Sequence, residues 1–146
     1  MRKTTQLLIY SIVLIGLAVI DVLTLMMDFR AGLWEMLLQA DPTLQDAVSI
    51  VLYVMVGFSV LSILIGFYLG GKGLLEVRSP SGDRLHIVLA RVIGTINLLL
   101  AAFFALSLLD STDLAHDLET LGLCVIDVIL MYSYANVAKA VRNGEV

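Results

Sequence analysis

Four apolar runs, each about as long as a bilayer is thick, decide what this chain can fold into. They cover Thr4–Met27, Ala47–Gly71, Val92–Leu109 (extended at its start by Ile87-Val88-Leu89-Ala90) and Thr120–Ala138. Roughly 20 such residues in a helix cross the ~30 Å hydrocarbon core. Backbone N–H and C=O groups in lipid must be satisfied within the segment, and none of the runs alternates as a barrel strand does, so helices are expected. A soluble chain of 146 residues that is 60% hydrophobic and 15% charged could not hide that much apolar surface in one core. The expected fold is all-α: an integral membrane bundle of four transmembrane helices, largely antiparallel with short loops. It forms a single domain over residues 1–146, with spans at about 4–27, 47–71, 87–109 and 118–140. The first run is too long for a signal-peptide core, carries Asp21, and lacks a small-x-small cleavage site before Asp28, so it reads as an uncleaved span.

Topology follows from the basic residues. Arg2, Lys3, Lys72, Arg78, Arg84, Arg91, Lys139 and Arg142 fall at the two termini and in or beside the middle connection, and only Arg30 falls on the other side. Short loops rich in Lys and Arg stay in the cytoplasm. Both ends are therefore expected there, in a multi-pass protein of the cell (cytoplasmic) membrane. The opposite connections hold Asp28, Glu35, Asp41, Asp46, Asp110, Asp113, Asp117 and Glu119, an acidic surface that attracts cations weakly. Trp34 with Leu33, Met36, Leu37 and Leu38 reads as a short helix in the interface. Thr43-Leu44-Gln45-Asp46 resembles a capping box at the start of the second helix, and Arg78–Asp83 reads as a plain turn.

The chemistry-bearing residues are few. The single cysteine, Cys124, excludes an internal disulfide or a CxxC pair and reads as a small buried residue. There is no HExxH, P-loop, GxSxG or credible Ser/His/Asp set, so no catalytic residue, metal or cofactor is expected and the chain is not read as an enzyme. A net charge of −4 gives no support to nucleic-acid binding. The lipid bilayer is the first partner, and a membrane-protein partner or a homo-oligomer is the second.

Asp21 and Asp127 interrupt their runs alone. Asp21 lies seven residues before Asp28 and Asp127 eight after Glu119, which places the two at depths of roughly 10 and 12 Å below one boundary. Carboxylates in hydrocarbon are costly and usually face a bundle interior, a wet cavity or a partner's cation. Arg91, nearest in the expected fold, is roughly 27 Å from that boundary and cannot reach them, so at least one is expected to carry a proton at neutral pH. Their segments also match: residues 15–23 and 121–129 share six of nine positions. Thr24, Asn97 and Thr120 supply uncharged oxygens at comparable depths. Together with Asp21 and Asp127 they make an expected docking, cation or proton site inside the membrane.

Small residues recur at helical spacing. One row holds Ser62, Gly66 and Gly70; another holds Ala90, Gly94, Asn97, Ala101 and Ala105. Both suit close packing, within the chain or between copies. His86, with Arg84 and Arg91, is expected at the inner interface facing lipid headgroups, and His116 at a solvated helix start. The resulting functional expectation is a small non-enzymatic accessory or regulatory subunit that docks through intramembrane contacts. The alternative is a proton- or cation-coupled transporter or channel-like oligomer using Asp21 and Asp127.

Overall fold

The structure, a computed structural model, describes residues 2–30, 32, 35, 45–79, 83–108 and 114–144. Among them there are four long helices and no strand: α1 Lys3–Arg30, α2 Gln45–Arg78, α3 Leu85–Ser107 and α4 Leu114–Arg142. All four are long and apolar enough to cross a membrane. The expected interfacial helix around Trp34, the Thr43 cap, the centre of the Arg78–Asp83 turn and the tip joining α3 to α4 lie outside the described residues.

Helix α2 outlasts its apolar run at the C-terminal end. It has 34 residues and continues through Gly71-Lys72-Gly73-Leu74-Leu75-Glu76-Val77-Arg78, about 10 Å of helix beyond the run at 1.5 Å per residue. Hydrophobicity marks where a helix can meet lipid, whereas the helix itself lasts as long as packing favours it. Gly73 shows how. A Cβ there would meet Ser11 Oγ and would lie 2.9 Å from Tyr134 Cε2. The glycine that weakens helix propensity is thus the residue that lets α2 seat against its neighbours.

By its contacts the chain divides into two compact units, Ile12–Gly71 and Met1–Ser11 with Lys72–Val146. In the first, α1 and α2 approach closely at Gly66, where an added Cβ would come within 3.0 Å of Ala18 Cβ. In the second, α3 packs along α4. Its core holds Leu7, Ser11, Glu76, His86, Ile87, Ala90, Tyr134, Ala135, Ala138 and Val141, all buried. All four helices thus contribute to that core, α1 by its start, α2 by its end, α3 by its first turns and α4 by its last turns.

Elsewhere the helices display apolar side chains outward, from Leu8 to Met27 in α1, Ile50 to Phe67 in α2, Val88 to Leu106 in α3 and Leu114 to Ile129 in α4. Hydroxyls in the core and on these faces alike bond back to carbonyls of their own helix. Ser11 Oγ donates to Leu7 O (2.7 Å), Ser59 Oγ to Met55 O (3.1 Å), and Thr95 Oγ1 to Arg91 O (2.9 Å). That pattern satisfies a polar group without water.

Gly73→Ala is expected to destabilise the protein by about 1–3 kcal/mol, the range for overpacking a filled site. Gly122→Ala, where an added Cβ meets nothing within 4 Å, should stay within about 0.5 kcal/mol of the parent. Denaturant unfolding in detergent micelles, followed by helical circular dichroism, compares the two.

Candidate functional site

Two polar regions stand out against this apolar background, one in each unit. In the unit Ile12–Gly71, the close approach at Ala18 and Gly66 gives way, one turn further along each helix, to an open pocket of ≈ 210 Å³. Asp21, Thr24, Leu25, Ser59 and Ser62 line it. Four oxygen-bearing side chains therefore converge where the buried face of α1 ends, since Leu14 and Ala18 are buried and Asp21 is exposed. The spacing explains the convergence. Leu14, Ala18 and Asp21 follow one another at helical intervals on α1, and Ser59, Ser62 and Gly66 do the same on α2. The Ser59 hydroxyl is engaged with Met55 O and turns only its lone pairs outward.

The other residues expected with Asp21 lie in the second unit. Asn97 is half-buried on α3. Asp127 and Cys124 are half-buried on α4, and Thr120 Oγ1 donates to His116 O at 2.9 Å. So Asp21 and Thr24 share one pocket, joined by Ser59, which the sequence reading passed over, and by Ser62, which it had assigned to packing. Two of the small-residue positions have close neighbours inside their own units, and two more are buried. Gly66 lies against Ala18, Gly94 against Tyr132 with 3.0 Å from a built Cβ to Cε2, and Gly70 and Ala101 are buried. Next to Gly94, Thr95 and Tyr132 oxygens are 2.9 Å apart. The Thr95 proton already goes to Arg91 O, so the tyrosine O–H is the donor.

The second polar region was not anticipated. His86 is fully buried, at 0% exposure, where the sequence led us to expect it among lipid headgroups; Glu76 is 1% exposed. The His86 ring meets the edge of Tyr134, with centroids 6.1 Å apart and planes at 75°. Tyr134 in turn borders Gly73 alongside Ser11. Neither His86 nitrogen has a hydrogen-bond partner among the described residues, a cost on the order of 1–3 kcal/mol per orphaned group. Glu76, Asp83, Lys72 and Arg142 are near enough for their charges to act on the ring.

Both buried groups could have been read from the sequence by extending the small-residue rows one turn. The α3 row Ala90, Gly94, Ala101 continues backward to His86, four residues before Ala90. The α2 row Gly66, Gly70 continues through Gly73 to Glu76. Ending the α2 row at the last apolar residue hid Glu76.

An ion pair ties α2 to the start of α3 at the edge of this core. Lys72 Nζ donates to Asp83 Oδ2 at 2.9 Å, and the Leu85 N–H donates to Asp83 Oδ1 at 2.9 Å. The Leu85 N–H, then Lys72, hold the Asp83 carboxyl below its ordinary value of 3.8. Among the described residues no three His, Cys, Asp or Glu side chains are grouped to hold a metal ion.

No protein-family model, curated protein or solved structure matches the chain.

Because the Asp83 value is lowered in the folded state, its contribution to stability is present above pH 3.8 and is lost as pH falls through the lowered native value. Thermal unfolding in micelles should therefore show an acid-induced decrease that Asp83→Asn flattens. Equal acid dependence in parent and variant would show that the contacts contribute nothing.

Proposed function

We propose that the chain is a small, non-enzymatic integral membrane protein, an accessory or regulatory subunit that docks to another membrane protein or to a second copy of itself. In this reading it spans the cell membrane four times, with both termini in the cytoplasm, as eight of its nine basic residues favour. The observation that carries the reading is the pocket of Asp21, Thr24, Ser59 and Ser62. It opens on helices whose neighbouring side chains Ile20, Leu23, Phe58 and Leu61 are exposed and apolar.

In hydrocarbon such a polar opening is stabilised most by complementary groups that arrive on another helix, whether a Lys or Arg for the carboxylate or an amide for the hydroxyls. The surrounding apolar faces then complete the contact by van der Waals packing. Asp127 on α4 offers a second acidic position on a helix whose neighbours Leu123, Val125, Ile126 and Ile129 are also exposed.

The same pocket supports a second reading, transport of protons or cations. A carboxylate with three hydroxyl oxygens is a hard-oxygen donor set of the kind that alkali and alkaline-earth cations accept.

The two readings part in one experiment. The protein is purified in mild detergent, with mass spectrometry of what accompanies it, and is then reconstituted in liposomes for flux. Docking predicts a stoichiometric membrane partner or a defined oligomer that Asp21→Asn reduces at least tenfold, with no flux from the purified chain. Transport predicts flux that the same substitution abolishes. A monomer that is silent in both assays would overturn both.

A further inference from the structure

The buried group at the end of α2 and the start of α3 lies in a different unit from the Asp21 pocket and does not depend on it. Its composition is unusual for a core. A histidine and a glutamate, both essentially inaccessible, share it with a tyrosine and a serine, and all four helices contribute. An apolar side chain would pack there at lower cost than the His86 ring, both of whose nitrogens lack a hydrogen-bond partner among the described residues. Space limits what can bind there. Gly73 has no room for even a methyl group beside Ser11 and Tyr134, and the His86 ring is already in edge contact with Tyr134. The His86 nitrogens, lacking partners among the described residues, can accept the smallest ligand of all.

We propose that His86 and Glu76 form a proton-binding site, in which the imidazole takes up and releases a proton under the influence of the buried carboxylate and transmits the change to the packed Tyr134 ring. The ionisable and charged groups around it come from each neighbouring element: Lys72 and Glu76 from α2, Asp83 from the connection to α3, and Tyr134 and Arg142 from α4. From α1, Leu7 and Ser11 enter this core and neither ionises.

The chemistry is a single proton exchanged with the aqueous phase. On uptake a ring nitrogen gains an N–H and a positive charge that the carboxylate balances; on release the ring returns to neutral. Histidine is the side chain whose ordinary range brings such an exchange nearest to neutral pH. Because His86 occupies the first turn of α3, just past the Lys72–Asp83 link, its charge acts where α2 hands over to α3.

The chain has two histidines, so nitrogen-15 spectra of histidine-labelled full-length protein in micelles resolve them, with His116→Gln giving the assignment. The expected result is one step in the His86 ring signals within the pH range over which the protein stays folded, accompanied by a shift in the Tyr134 ring signals at the same midpoint. Glu76→Gln should move that step to lower pH, because a neighbouring carboxylate favours the imidazolium, while His116 keeps its own midpoint. If Glu76→Gln does not fold, Asp83→Asn at the edge of the core should move the step the same way by a smaller amount. A His86 ring that stays in one state throughout, or a step indifferent to both carboxylates, would overturn the proposal.

Discussion

Everything in this protein follows from apolar surface that water cannot accept. Four helices carry Leu, Ile, Val, Met and Phe around most of their circumference, and the cores they form are small. Covering such faces in water would need a second layer of protein. A bilayer covers them without one. Under that constraint a polar group is satisfied by its own helix, gathered into a core or left facing an opening, and all three arrangements occur. Ser59 and Thr95 bond back to their own helices. Glu76, His86, Ser11 and Tyr134 are gathered inside. Asp21 and Thr24 open into a pocket.

The two polar regions differ in kind. Around Asp21 the helices separate after their contact at Gly66, and the oxygens face an opening large enough for a side chain or a cation. Around His86 the packing is tight, the histidine and glutamate are enclosed, and the half-buried Lys72–Asp83 pair links α2 to the start of α3. An open region suits recognition, because a partner must enter it. A closed one suits a ligand that needs no room. Glycine serves both, by bringing α1 to α2 at Gly66 and by seating the end of α2 at Gly73.

The helices themselves were legible in the sequence, since lipid-length apolar runs leave few alternatives, and so were the faces bearing Gly66, Gly94 and Asp21. What the apolar pattern could not mark was helix that lasts beyond the lipid-compatible run. The segment Gly70-Gly71-Lys72-Gly73 reads as a breaker by propensity, yet the helix runs through it because those small residues permit close packing. Glu76 lies beyond that point and went unweighed. His86, flanked by Arg84 and Arg91, looked like a headgroup contact because charge nearby outweighed spacing. Its position four residues before Ala90 was the better guide. Ser59, a lone hydroxyl in an apolar run, acquires meaning only when α1 brings Asp21 and Thr24 beside it.

The central claim is that these four helices cross a membrane with both ends on one side. Single cysteines introduced in a Cys124→Ala background, tested with a membrane-impermeant thiol reagent on intact cells, address it most directly. Gln39→Cys and Ser111→Cys should label from outside, and Ser79→Cys and Asn143→Cys only after the membrane is opened. Labelling of Ser79→Cys or Asn143→Cys in intact cells, or of none of the four until lysis, would contradict the four-span arrangement.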